Sequence, residues 1–317
     1  MSKITIIGAG NVGATAALNI ARMSICNTVV LLDIKEGVAE GKAMDIMQSL
    51  AIVNNTTEVI GVTNDYDATA NSDVVVITSG VPRKPGMTRE ELVGVNKVVV
   101  ESVMKNLLPV QNKSTKYLIV SNPMDTMTLV ATNCLRAFEG EKGEPVAQVI
   151  GMGGKLDSAR FKYFIKKAYE HKTGEPLSIK LVKAFVIGGH GDTTMVPWVN
   201  AAKINGKPIS EIFTPEEIAD IVENTKKGGA TLTKMLGTSA WEAPATAIAE
   251  TCDALVNGGT MGYVMMPCSV NRPEYNLCIG SYVGINSSGV VYIKNVEGNN
   301  PEYKASVEAV RKVNEAL

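Results

Sequence analysis

His190 stands in the stretch Val-Ile-Gly-Gly-His-Gly-Asp at 186–192, at the end of an apolar run and between glycines. Imidazole titrates nearest neutrality of all side chains, so it is the natural group to give and take a proton. The glycines around it would let a bulky ligand reach the ring. The only other histidine, His171, sits in a lysine-rich stretch that reads as a solvated helix end. Asp157 and Arg160 are three residues apart in a helical pattern and share one face. At that spacing the two can form an ion pair on the helix surface. Arg83 and Arg89 lie in Ser-Gly-Val-Pro-Arg-Lys-Pro-Gly-Met-Thr-Arg at 79–89. That loop follows an apolar strand, and its Gly and Pro content predicts a mobile lid at the ligand-binding end of a sheet. Asn122, just before Pro123, ends another apolar run.

A second constellation sits at the start of the chain. Gly8-Ala9-Gly10-Asn11-Val12-Gly13 follows an apolar strand and opens a helical pattern. In such a G-x-G-x-x-G turn Gly8 permits the bend, Gly10 admits a pyrophosphate, and Gly13 lets helix lie close on strand. The helix N-terminus then offers free N–H groups to phosphate. Asp33 ends the next strand, twenty residues after Gly13. A carboxylate there accepts hydrogen bonds from the adenosine ribose and repels a 2′-phosphate, which favours NAD over NADP. A cofactor that moves hydride to or from a carbonyl carbon needs a proton partner for the oxygen, and His190 is the better placed histidine.

The elements that must hold these residues fall into two regimes. Up to about residue 150, strand-like runs at 3–7, 28–32, 58–60, 74–78, 117–120 and 146–150 alternate with helical stretches at 12–22, 39–49, 95–108 and 126–137. That order predicts an α/β doubly wound parallel sheet of six strands. The second half segregates its elements, as in an α+β domain. A helix begins near 156 and meets a polar turn at 171–174. Strands follow at 178–187 and 195–204, with a turn at Asn205-Gly206. Thr214-Pro215-Glu216-Glu217 is a capping box. The helical region it opens runs, with a break at Gly228-Gly229, to 235. A helix at 244–256, two strands at 283–285 and 290–293, and a helix from Pro301 complete the chain. The predicted division is 1–145 for the dinucleotide-binding domain and 146–317 for the catalytic domain.

Composition excludes several classes. Lys+Arg 31 against Asp+Glu 32 gives a net charge of -1, which offers a polyanion no long-range attraction, so no nucleic-acid partner is expected. No apolar run reaches the ~20 residues of a membrane span. No leader peptide is expected, since Lys3 leads directly into a core-like strand. Five scattered cysteines without a C-x-x-C, and only two histidines, read as reduced thiols in a cytoplasmic protein and predict no metal.

The motifs GAGNVG at 8–13, LLD at 31–33, SGVPRKPGMTR at 79–89, SNP at 121–123, LDSARF at 156–161 and GGHGD at 188–192 occur in one order across nearly the whole chain. On these the sequence resembles the lactate/malate dehydrogenase family. The resemblance implies a Rossmann domain followed by a substrate domain, NAD as cofactor, and a homodimer or homotetramer. It implies His190 as proton donor and acceptor, oriented by Asp157. It implies Arg160 on the C1 carboxylate, Arg89 polarising the C2 carbonyl, and Arg83 facing the substrate side chain. Asn122 would hold substrate oxygen and cofactor. Gly8, Gly10, Asn11, Val12, Gly13, Asp33, Asn96 and Val120 would line the cofactor site. In the family, Gln at the position of Arg83 accompanies lactate and Arg accompanies malate. A guanidinium buried against a methyl would lack its partner, so discrimination on the order of 10⁴ is expected, in favour of the dicarboxylates malate and oxaloacetate. A lactate or other 2-hydroxy acid dehydrogenase is the alternative enzyme, and a non-catalytic NAD-binding sensor the alternative class. A sugar-processing hydrolase on a related fold would need metal ligands that the Cys and His pattern does not offer. Two stretches depart from the family: 169–178 is longer than usual, and Trp241-Glu242 stands where relatives show two aromatics.

Overall fold

A computed structural model of the chain describes residues 2–82, 87–140, 148–258, 262–295 and 300–317. Arg83 and the predicted domain boundary near 145 lie outside the described residues, as does the side chain of Arg89.

Six parallel strands form the first half of the sheet: β1 (Lys3–Ile7), β2 (Thr28–Asp33), β3 (Glu58–Thr63), β4 (Val74–Ile77), β5 (Lys116–Ile119) and β6 (Val149–Gly151). Their spatial order is β3-β2-β1-β4-β5-β6, with the chain reversing direction across the sheet between β1 and β4. The continuous apolar runs have a simple cause, since both faces are covered. Ile4, Ile6, Leu31 and Val76 point into one core, under α1 (Asn11–Arg22) and α2 (Val38–Ile52). Ile7, Leu32, Val75 and Ile77 point into the other, under α3 (Arg89–Leu107) and α4 (Met124–Glu139). Each such side chain contributes roughly 1.5–3 kcal/mol on burial.

Helix α3 begins six residues before the expected 95. Thr88 accepts from the Glu91 N–H at 3.1 Å, and Glu91 accepts from the Thr88 N–H at 2.8 Å, a complete capping box. Arg89 is therefore the first residue of a helix and not part of a loop. The Thr88-x-x-Glu91 signal was present in the sequence.

The second half extends the same sheet with antiparallel strands. These are β8 (Val186–Gly188), β9 (Met195–Pro197), β12 (Val264–Arg272), β13 (Leu277–Asn286) and β14 (Gly289–Lys294). Gly151 of β6 pairs with Ser269 of β12, and this contact joins the two halves. Here the expectations need correction. The single strand predicted over 178–187 is a 3-10 turn (Ile179–Leu181) followed by β7 (Val182–Lys183) and β8, which belong to different sheets. The strand predicted over 195–204 likewise divides into β9, a turn and β10 (Lys203–Ile204). β10 pairs with β11 (Lys207–Pro208) across the predicted Asn205-Gly206 turn, both of whose residues have positive φ. β12 was not expected at all, because its buried polar residues Ser269, Asn271 and Arg272 interrupt the apolar pattern.

Four helices complete this half: α5 (Gly153–Thr173), α6 (Pro215–Leu236), α7 (Glu242–Asn257) and α8 (Pro301–Asn314). The capping box expected at Thr214 is present, and α8 starts at Pro301 as expected, with Asn300 as its N-cap. No break occurs at Gly228-Gly229, and α6 is continuous through them. The long 169–178 stretch ends α5 at a left-handed Gly174. It is tied to α6 by Lys172, whose Nζ lies 2.7 Å from the Glu217 carboxylate.

Candidate active site

The glycine turn after β1 has the backbone its pattern predicts at Gly8 and Gly13. Gly8 has φ +107, and its N–H donates to the Leu32 carbonyl at 2.7 Å. A Cβ on Gly13 would stand 1.9 Å from the Gly8 oxygen, so helix and strand approach at a distance only glycine permits. A Cβ on Gly10 would meet nothing within 4 Å. Gly10 is also the N-cap of α1 and has no side chain to cap its first turn, at Asn11, Val12 and Gly13. Open space and an uncapped helix N-terminus coincide, which fits a bound pyrophosphate. Asp33 accepts from the Ala9 N–H at 2.7 Å and from the Lys35 N–H at 2.9 Å. It therefore anchors the turn, a role not evident from its spacing.

Asn96 holds the two loops at the strand ends together. Its Nδ2 donates to the carbonyls of Asn122 at 2.6 Å and Val81 at 3.1 Å, and its Oδ1 accepts from the Val81 N–H at 2.7 Å. Both Nδ2 hydrogens and Oδ1 are engaged by backbone, so Asn96 shapes the cleft by holding the two loops. Asn122 and Val120 line the cleft directly.

The candidate catalytic cluster gathers around α5, which carries Asp157 and Arg160. Asp157 is 1% exposed. Its Oδ2 lies 2.7 Å from His190 Nδ1, and its Oδ1 accepts from Arg160 Nη1 at 2.9 Å. With Nδ1 engaged, Nε2 is the nitrogen of His190 left for a substrate. His190 and Arg160 are 15% and 18% exposed and both line a cleft of about 480 Å³ shared with Val12 and Asn122. Burial alone would push the imidazole pKa down. The Asp157 carboxylate, through charge and hydrogen bond, opposes it with help from Asp125, and the net result is raised above the usual 6.5.

Three features here escaped the sequence. The turn glycines are not openings for a ligand: Cβ atoms on Gly188, Gly189 and Gly191 would lie within 3 Å of Ser306, Val310 or Thr194. Space for the imidazole comes from Gly153 of α5, where a Cβ would be 2.5 Å from His190 Cγ. Gly228 and Gly229 lie against Arg160, so the glycine pair read as a helix break is where α6 makes room for the guanidinium. The third is Asp125 on α4, which accepts from the His190 N–H at 2.6 Å and from Ser269 Oγ at 2.7 Å. Burial raises its carboxyl pKa, against the hydrogen bonds from Ser269 and His190. His171 is exposed at the end of α5, away from the cleft. Among the described residues no group of three His, Cys, Asp or Glu side chains is arranged to hold a metal, and no helix is long and apolar enough to cross a membrane.

Comparison with known proteins gives a consistent result. Residues 2–139 match the lactate/malate dehydrogenase NAD-binding domain and 154–313 match the lactate/malate dehydrogenase alpha/beta C-terminal domain. A malate dehydrogenase of Bacteroides fragilis is 48% identical over 324 aligned positions, covering 100% of this chain and 98% of the relative. The solved malate dehydrogenase of Salinibacter ruber superposes with a TM-score of 0.87 at 35% identity, covering 99% of this chain and 97% of that one. The lactate dehydrogenase of Cryptosporidium parvum, solved with lactic acid and nicotinamide adenine dinucleotide, gives 0.86 at 30% identity, covering 99% and 97%.

Proposed function

The chain belongs to the lactate/malate dehydrogenase family, and from that premise we propose that it interconverts (S)-malate and oxaloacetate with NAD rather than NADP. The observation that carries the reading is the line His190–Asp157–Arg160, in which a buried Asp157 joins two residues that line the cleft. The nicotinamide cofactor supplies the two-electron chemistry at the substrate's C2 when bound. The chain's own residues do the rest. Gly8, Gly10, Asn11, Val12 and Gly13 receive the cofactor's phosphates, with Asp33 at its ribose and Asn96, Val120 and Asn122 framing the pocket. Arg160 uses one nitrogen on Asp157 and keeps its remaining donors for the C1 carboxylate. Nε2 of His190 gives a proton to the oxygen during reduction and removes it during oxidation. Asp157 stabilises the imidazolium and fixes the ring. Arg89 is assigned to the developing charge on the carbonyl oxygen. Arg83 is assigned to the second carboxylate, the group that separates malate from lactate.

We place the division of the chain at 1–145 and 146–317, which falls in the interval between the two family matches, 2–139 and 154–313. A dimer or tetramer of identical chains is supported by exposed apolar side chains on single helix faces, Met44, Met47 and Ile52 of α2 and Leu232, Met235 and Leu236 of α6. Five unpaired cysteines suit a cytoplasmic location.

The test is a pair of histidine variants. His190→Asn lowers turnover by ~10²–10⁴-fold with NADH affinity retained, since the general acid is lost. His171→Asn leaves turnover unchanged. An essential His171 with a dispensable His190 overturns the assignment.

A further inference from the structure

The base is held at two points. One is Asp157, which takes the ring. The other is Asp125, whose Oδ2 accepts the backbone N–H of His190 at 2.6 Å. Asp125 is 6% exposed, and its Oδ1 accepts from Ser269 Oγ at 2.7 Å, so both oxygens have partners. Ser269 is in turn the residue of β12 that pairs with Gly151 at the junction of the two sheet halves. Asp125 is the second residue of α4, where the helix dipole favours a carboxylate. It follows Asn122 by three residues, so one short stretch of chain carries both the cleft-lining Asn122 and the carboxylate that grips the His190 backbone.

The loop around His190 is held on both sides, since the Gly189 N–H donates to the Thr194 carbonyl at 3.1 Å and the Gly191 carbonyl accepts from the N–H groups of Thr194 and Met195 at 2.9 Å, and Asp125 is the anchor of His190 itself. Gly189 and Gly191 flank it, and Gly189 is held by a Ser306 hydroxyl that accepts its N–H at 2.9 Å. The ring contact to Asp157 sets the imidazole's orientation, and the contact to Asp125 is the one made by the His190 N–H itself. Resting on the assignment of His190 as the base, we propose that Asp125 is a positioning residue, which docks the His190 backbone onto the α4 turn that carries Asn122 and so fixes the distance between proton donor and substrate. The partners are 65 and 144 residues away in sequence, which is why no local pattern announces them.

The experiment compares Asp125→Ala, Asp125→Asn and His190→Asn by steady-state kcat in both directions and by NADH affinity from fluorescence titration. A reacting atom displaced by about an ångström loses ~10²-fold in rate, so Asp125→Ala is expected to lower kcat by that order while NADH affinity stays within about twofold. Asp125→Asn is expected to recover to within about fivefold of wild type, because its carboxamide oxygen still accepts the His190 N–H. If Asp125→Ala does not fold, Ser269→Ala, which frees one end of Asp125, carries the same test through an intermediate loss of kcat. The inference is overturned if Asp125→Ala or Ser269→Ala keeps wild-type kcat, or if Asp125→Asn falls as far as the alanine. An active His190→Asn instead overturns the assignment of the base, and a dead His190→Asn beside an active Asp125→Ala overturns the positioning role alone.

Discussion

The turns at 8–13 and 188–191 both follow a buried strand and both are rich in glycine; Gly8 and Gly13, like the second turn's glycines, make room for protein, and Gly10 alone differs. In the first, Gly10 faces open space and an uncapped helix end, so the missing side chain is room for a ligand. In the second, the glycines are pressed onto Thr194, Ser306 and Val310, and the missing side chains are room for protein. The room that serves His190 comes instead from Gly153, on a different element. A glycine cluster beside a functional residue therefore says that something approaches closely, and only the fold says whether that is a substrate or a neighbouring helix.

Substitutions sharpen the contrast. The largest effect is expected at Gly153→Ala, where the new methyl must displace the imidazole. Turnover should fall by ~10²-fold, with NADH affinity nearly unchanged. Unaltered turnover would mean that the ring tolerates another position.

The pH profile comes next. Because Asp157 and Asp125 outweigh burial and raise the His190 pKa above 6.5, the imidazolium persists to higher pH than usual. Oxaloacetate reduction needs that proton and should fall, by about tenfold per pH unit, as pH rises through the raised value. Malate oxidation needs the neutral ring and should fall as pH drops through it. Rate profiles in both directions with midpoints below 6.5 would contradict the account.

Smaller effects distinguish the two turns themselves. Gly10→Ala is expected to weaken NADH binding by about tenfold while changing stability by no more than ~0.5 kcal/mol, because the methyl meets only the space kept for cofactor. Gly189→Ala should do the reverse. Its Cβ would stand 2.6 Å from Val310, so overpacking should destabilise the fold by ~1–3 kcal/mol, seen as a lower Tm, with cofactor affinity retained. Equal loss of cofactor affinity in both variants would erase the distinction.

The two halves differed as much in how far sequence could describe them. β1, β2, β4 and β5 were legible because a strand buried on both faces is an unbroken apolar run. β12 was not, because its polar residues are satisfied by side chains that only the fold brings near. Ser269, for example, donates to Asp125 of α4 at 2.7 Å, and Arg272 to Ser281 of β13 at 2.9 Å. Asp125 went unread for the same reason, its Ser269 partner lying in that unread strand. The His190 and Asp157 pairing was implied only by resemblance, since 33 residues separate them, and the fold brings them to 2.7 Å. Gly228-Gly229 showed local propensity misleading outright, a predicted break being a contact surface for Arg160.

Lactate and malate enzymes share this fold at nearly equal TM-scores, so architecture does not choose the substrate. Arg83 is assigned that choice, and steady-state NADH oxidation with oxaloacetate beside pyruvate tests it most directly. The account predicts that kcat/KM for oxaloacetate exceeds that for pyruvate by at least about 10³-fold, and that Arg83→Gln shrinks the ratio while NADH binding persists. Equal kcat/KM for the two keto acids in the wild-type protein would contradict it.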